Sequence, residues 1–436
     1  MKTQTRVAQY GLVVVVTTMG LTGWAKDSAD LRDLFNASIR FTDKVEFPQR
    51  IGDLGDAIRG QANFGIGPDG MSQDPSQALF QGVSQVAGMV TSNGRTCATC
   101  HRPGAARLGL PPLPLSSTIP LTDVLFTGLR ADIGVEPQGL QNFDQLGLLF
   151  HRPTRLNPFF PEDSDSRQLF FWRKTQRFVN TVFTFGFLNE GRMRELVETS
   201  RGAVFTHTQN GDLRFDDLID VQRLQDISRF MEEQIDPPEL RALLDPNDPM
   251  FKTLVNDPFA TVHPATRLER QGQDVFQHAC MDCHNLPNVF SNRDHVNAPP
   301  HAGPPPFGHT FDIGVAERNA LHLEFRRFDP ATGQRVQLIL PLVAQDGTVV
   351  QLPVVDDVGL AGATFRFEDL HKFKVPQLRR VAQLGPYFHD NSAATLTDVV
   401  DYFNGDLYNQ SVDGRRHPIH LNAEERAALI AFLQIL

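Results

Sequence analysis

Residues 95–104 read RTCATCHRPG. Cys97 and Cys100 are separated by two residues, and His101 follows at once. A Cys-x-x-Cys pair can hold zinc, cycle as a redox disulfide or anchor haem c, and only the last needs a histidine directly after the second cysteine. There the thiols form thioethers to the porphyrin vinyl groups and the imidazole ligates iron as the proximal ligand. The pattern recurs as Cys280-Met281-Asp282-Cys283-His284, and the chain has 4 cysteines, so each belongs to one of its two copies. A shared all-cysteine zinc site would leave His101 and His284 unexplained. Structural disulfides across two residues would be strained staples. The reading is therefore two covalently bound haem c groups, on Cys97/Cys100 and Cys280/Cys283, with His101 and His284 as iron ligands.

Haem c is attached outside the bacterial cytoplasm, which requires an export signal. The chain begins MKTQTRVAQYGLVVVVTTMGLTGWAKD: Lys2 and Arg6, an apolar core from Gly11 to Met19, then the small-x-small triplet Gly23-Trp24-Ala25. Residues 1–25 read as a cleavable signal peptide. The apolar core is too short for a comfortable membrane span, and no later segment is long and apolar enough. The mature protein is expected in the periplasm without a membrane span.

The 436 residues allow two or three domains, and 41% hydrophobic residues suffice for sizeable cores. A net charge of −10 argues against a nucleic-acid partner and suits a small basic electron carrier. Phe (33) far outnumbers Tyr (4) and Trp (2), so phenylalanine fills the cores and oxidisable aromatics are scarce.

A helix-like run precedes each motif: Leu79, Val83, Val86 and Val90 before the first, Leu268, Gly272, Val275 and Phe276 before the second. Gly272 in a helix points to a close crossing, with LNAEERAALIAFLQIL at the C-terminus as partner. Asn422 and Glu425 form its capping box, and Leu429, Phe432, Leu433 and Leu436 its buried stripe. The expected fold is mainly α: two cytochrome c-like haem domains, 26–265 and 266–436, with long loops. Residues 102–165 are an irregular insertion in the first. A β-hairpin insertion at 325–356, turning at Asp346-Gly347, lies in the second. The Pro-rich loop NAPPHAGPPPFGH (297–309) is a candidate docking loop.

Further stretches carry a family resemblance. Phe373 to Asn404 (FKVPQLRRVAQLGPYFHDNSAATLTDVVDYFN), HTFDIGV at His309–Val315, and Lys174 to Arg192 resemble the bacterial dihaem cytochrome c peroxidases and their MauG-like relatives. The resemblance covers most of 76–436, excepting 102–165 and the hairpin. It implies that peroxide is reduced at the first haem and that the second takes electrons from a partner.

Against the family pattern this chain departs at several positions. Asn189 stands where the peroxidases place a tryptophan between the haems. Thr199 falls at the distal glutamine, and Gln209 at the catalytic glutamate. The amide of Gln209 does not titrate, and Glu198 or His207 nearby could take over its proton work. Lys174 replaces the asparagine of the family's calcium site, whose carbonyls would be Leu384 and Pro386, so bound calcium is doubtful. Ser166 replaces the distal histidine of the first haem, with His151 as a spare candidate. At the second haem the sixth-ligand position reads Phe403; its neighbour Tyr402 becomes the candidate after a register change of one residue, about 100° of helix. Trp172 is either a stepping stone for electrons or a core residue.

The function implied is peroxide reduction with electrons from a small cytochrome c or cupredoxin. Two alternatives stay open: a MauG-like high-valent haem oxidase of a protein or organic substrate, and a non-enzymatic dihaem electron carrier. The oligomeric state is not readable.

Overall fold

In a computed structural model, residues 55–79, 93–104, 108–128, 132, 136–153, 164–184, 186–193, 195–207, 220–285, 287–291 and 310–436 are described. For the short strands at 4–7, 13–16, 85–86 and 89–90 only the backbone is described. Gln209, the loop 297–309, Val83 and most of the expected signal peptide lie outside these residues; Gln4–Val7 and Val13–Val16 pair antiparallel.

Two crossed helix pairs frame the molecule. The second is the one the sequence outlines. Arg267–Ala279 opens on a capping box, with Glu269 N donating to Thr266 Oγ1 at 3.1 Å and Thr266 N donating to Glu269 Oε2 at 2.9 Å. It crosses Ala423–Leu433, which opens on the Asn422/Glu425 box. A Cβ at Gly272 would overlap the carbonyl oxygen of Ala428, so only glycine lets the backbones approach this closely. Phe276, Leu429, Phe432, Leu433 and Leu436 are buried together around Phe259 and Phe290. Leu268, by contrast, faces solvent.

The first pair is Ala57–Phe64 against Val221–Glu232. A Cβ at Gly60 would overlap the carbonyl oxygen of Asp226, the same device as at Gly272. Asp226, 1% exposed, accepts from Asp56 N at 2.8 Å and from Arg59 Nε at 2.9 Å. The helical stripe expected over Leu79, Val83, Val86 and Val90 does not extend through its last two members: Val86 and Val90 lie on opposite strands of a short antiparallel pair, Gln85↔Val90 and Val86↔Met89. Valine branches at Cβ and favours extended backbone.

Small sheets connect the two halves. Leu148–His151 pairs antiparallel with Phe171–Lys174, so a strand of the 102–165 region is zipped to the chain beyond it. Ile339–Val343 pairs with Val349–Pro353. The inner faces of both sheets share one core, with Phe170, Phe171 and Trp172 against Leu340, Leu342, Leu352 and Phe365. Trp172 is 1% exposed and its indole N–H donates to Glu324 O at 3.1 Å, which makes it a core residue. No helix among the described residues is long and apolar enough to cross a membrane.

Candidate functional site

Both motifs open into one cavity of about 790 Å³. Cys97–Cys100 forms a single helical turn behind Thr96, whose N–H donates to Thr99 Oγ1 at 2.9 Å. Cys280 caps the Arg267–Ala279 helix, and His284 follows in the next turn. The two histidines are held alike. His101 Nδ1 meets Leu108 O at 3.1 Å, and His284 Nδ1 meets Phe290 O at 2.8 Å. Leu108 and Phe290 both have left-handed backbones, φ 63° and 56°. A ring anchored through Nδ1–H presents Nε2 as the free lone pair, the usual arrangement behind a metal-binding histidine. Burial pushes both imidazoles down to about 4, so they are neutral near pH 7. Phe178 lies on the His101 ring at 4.2 Å between centroids, with Phe64 beyond it.

The four cysteines are not paired as disulfides. Burial pushes Cys97 and Cys280 up to about 12 and Cys283 to about 11, so these thiols are protonated near pH 7. Among the described residues, the group of three His, Cys, Asp or Glu side chains able to share a metal ion is Asp312, Glu317 and His371, which contains no cysteine. A zinc site joining the two motifs is therefore absent from the described residues.

The donor set and the wall fit haem. Arg95, Arg152, Arg173, Lys174, Arg177, Arg192 and Lys374 line the cavity, against one carboxylate, Asp282, among the described residues. Arg173 is buried between Asp357 (Nε–Oδ2 2.7 Å, Nη2–Oδ1 2.6 Å) and Glu190, which also takes Arg192. Burial opposes ionisation of Glu190, but Arg173 and Arg192 outweigh it and hold Glu190 well below the usual carboxylate range. Lys174 and Lys374 bond main-chain carbonyls instead: Lys174 Nζ donates to Pro386 O and Lys374 Nζ to Gly186 O, each at 2.7 Å. Burial pushes both down to about 8. His389 Nδ1 is buried without a hydrogen-bond partner. A wall rich in cations with an orphaned ring nitrogen is what haem propionates would suit.

Calcium does not fit. The Lys174 ammonium occupies the Pro386 carbonyl that the family's cation would use.

The remaining candidates separate by helix face. On Leu196–His207, Thr199, Ala203, Thr206 and His207 line the cavity. Glu198 lies on the opposite face, ion-paired with Arg201 at 3.6 Å and 44% exposed, so it is not brought to the cavity. Thr199 Oγ1 donates back to Glu195 O at 2.7 Å. Ser166 is buried on the turn Asp165–Gln168 and does not line the cavity. His151 does, but its Nε2 is engaged by Arg192. At the second motif Phe403 and Tyr408 line the cavity, whereas Tyr402 does not: it stands behind the wall and donates its hydroxyl to the main chain of the lining residue Ile313 at 2.8 Å. The register change that would turn the phenol inward is not made. Asp132, from the 102–165 region, was not singled out in the sequence; it bonds His207 and Arg95. A lone aspartate in irregular sequence carries no signal that could have found it.

No protein-family model matches the chain. It is 24% identical over 199 residues to the cytochrome-c peroxidase IdrP2 of Denitromonas iodatirespirans, covering 45% of this chain and 46% of that one. It is 36% identical over 67 residues to the methylamine utilization protein MauG of Methylorubrum extorquens, 15% of this chain and 19% of that one. In these stretches the chain is similar to cytochrome-c peroxidases and to MauG. The aligned parts span less than half the length of these curated relatives. Among solved structures, a MauG-like protein associated with microbial copper homeostasis aligns over 90% of each chain, with TM-score 0.45 and 16% identity. The diheme peroxidase BthA from Burkholderia thailandensis aligns over 83% of this chain and 88% of that one, with TM-score 0.41 and 17% identity.

Proposed function

We propose that the chain is a periplasmic dihaem c-type oxidoreductase that reduces hydrogen peroxide with electrons from a small redox protein, a cytochrome c or a cupredoxin. The observation that carries this reading is the single cavity into which both Cys-x-x-Cys-His sequences open. On this reading residues 1–25 are removed on export, and the haem domains are 26–265 and 266–436. Cys97, Cys100, Cys280 and Cys283 hold the two haems, and His101 and His284 ligate iron. Haem supplies an iron centre that takes up peroxide at the first site and relays electrons at the second.

The protein's own groups do the rest. Leu108 O and Phe290 O keep the two imidazoles turned towards the cavity. Lys174, Lys374, Arg177 and Arg192, all on the cavity wall, are the cations that would hold haem propionates. His207, on the helix that the resemblance assigns to the distal side, handles protons for O–O cleavage. The overall change balances as H2O2 + 2 H+ + 2 e− → 2 H2O, the electrons coming from the donor protein. At the second motif Asp282 and His417 are exposed at 66% and 48%, which gives a donor a short approach.

The test is direct. Purified protein should carry two covalent haems by haemochrome assay, and Cys97→Ser/Cys100→Ser and Cys280→Ser/Cys283→Ser should each lose one. Reduced cytochrome c should then be oxidised on adding peroxide. A protein with no Soret band, or one that never oxidises any cytochrome or cupredoxin with peroxide, overturns the proposal.

A further inference from the structure

We infer that Asp132 is the positioning residue of a distal acid–base histidine, His207, with Arg95 fixing Asp132 in turn; this rests on the peroxidase reading above. His207 Nδ1 meets Asp132 Oδ1, and Asp132 Oδ2 meets Arg95 Nη1. Asp132 is 2% exposed and Arg95 1%. Arg95 also donates to the carbonyls of Val124 and Leu125, so the guanidinium is pinned from behind. Asn93 adds a second tie. Its Nδ2 donates to His207 O at 2.6 Å, and its Oδ1 accepts from Arg95 N at 3.2 Å. The segment just before the first motif thus holds the far end of the Leu196–His207 helix against the cavity.

The chemistry follows from the tautomer. An imidazole that donates Nδ1–H to a carboxylate keeps its lone pair on Nε2 and is stabilised when it takes a proton there. His207 accepts a proton from the peroxide oxygen that binds and returns it to the oxygen that leaves. It moves that proton without net consumption, while the two protons of the overall change come from solvent and the two electrons from the donor. Gln209, at the position of the family's glutamate, cannot do this because an amide does not titrate. The insertion that supplies Asp132 thereby gains a role: it brings the orienting carboxylate to the site.

Cyanide binding to the ferric holoprotein tests this apart from turnover. Hydrogen cyanide must lose its proton to bind, so a base in the pocket speeds association. His207→Gln and Asp132→Asn should each slow association roughly tenfold or more, and the double variant should be no slower than either. Asp132→Asn keeps the shape but offers an amide N–H to Nδ1, which reverses the tautomer. Wild-type association in D132N, with its Soret band and thermal midpoint intact, overturns the inference. Should D132N lose its Soret band, His207→Gln decides, since it leaves the Arg95–Asp132 pair in place; an unchanged rate there overturns the inference too. Failure of the peroxidase reading looks different: the variants still differ in cyanide binding, but the wild type turns over no peroxide.

Discussion

Lys174 and Lys374 reach across the molecule in opposite directions, each ending on a main-chain carbonyl of the other's half. Lys174 Nζ donates to Pro386 O and Lys374 Nζ to Gly186 O, both at 2.7 Å. Their backbones repeat the exchange: Lys174 N donates to His389 O at 2.8 Å and Lys374 N to Asn189 O at 3.1 Å. The paired carbonyls sit in matching loops, each closed by a bridge, Phe187↔Met193 and Tyr387↔Ala393. The Lys174 ammonium stands where the resemblance places the family's calcium. Chelation with EGTA should therefore leave the thermal midpoint and the Soret spectrum unchanged. Added calcium should raise the midpoint by under about 1 °C, since a cation that binds the native state must stabilise it by mass action. A calcium-dependent rise of several degrees would refute this.

The Arg173–Asp357 pair predicts a large loss of stability. Both groups are buried, 2% and 1% exposed, and joined by two hydrogen bonds. Asp357→Ala leaves Arg173 with Glu190 as its carboxylate partner, which already takes Arg192, and with the Gly359 carbonyl. Removing one partner of a buried pair costs roughly 3–5 kcal/mol. Urea denaturation of holoprotein should show it, and a change below about 1 kcal/mol would count against the network.

Gly60 and Gly272 predict parallel effects. Alanine at either position forces its helix away from the carbonyl of the crossing partner, Asp226 or Ala428. Overpacking of this kind costs roughly 1–3 kcal/mol. Thermal melts of Gly60→Ala and Gly272→Ala should both fall, although the two glycines belong to different halves of the chain.

His371 predicts a pH dependence. Burial opposes its charge, but Asp356 at 3.0 Å and Glu317 at 2.8 Å outweigh it and raise it to about 10. Asp312 faces the same group, and burial, with Glu317 adding, raises that carboxyl to about 7. A raised folded-state histidine contributes stability that is complete below its unfolded value near 6.5 and is lost as pH rises towards 10. Protonation of Asp312 below about 7 weakens one nearby negative charge but leaves Glu317 and Asp356 in place. His371→Gln should therefore cost roughly 3 kcal/mol at pH 6 and little at pH 10. A cost that does not change with pH would sink this account.

Much of the fold was legible because its signals are local. The capping boxes Thr266/Glu269 and Asn422/Glu425 and the close crossing at Gly272 depend on residues within a turn or on the absence of a side chain. The end of the helical stripe before the first motif was misread because Val86 and Val90 match a helical period while their branching favours strands. A better signal was present. Gly60-Gln61-Ala62-Asn63-Phe64 repeats the Gly-Gln-x-x-Phe of Gly272-Gln273-Asp274-Val275-Phe276, and both phenylalanines are buried beside a motif histidine's wall.

The sequence by itself determined which residues are chemically able to act: the two Cys-x-x-Cys-His motifs, a glutamine where a glutamate is expected, a lysine at a cation's place. The motifs are properties of residue type and short spacing; the glutamine and the lysine stand out only against the pattern of the family the chain resembles. Only the tertiary structure decided which of them meet. One residue on a helix turns a side chain through about 100°, so Glu198 pairs with Arg201 while Thr199 lines the cavity, and Tyr402 is tied to the Ile313 carbonyl behind the wall while Phe403 lines the cavity. The contact of Asp132 with His207, between residues 75 positions apart, is made by packing of the insertion against the helix end. No local pattern encodes it, because the energy that selects it is the burial and pairing of charges brought together by the whole fold.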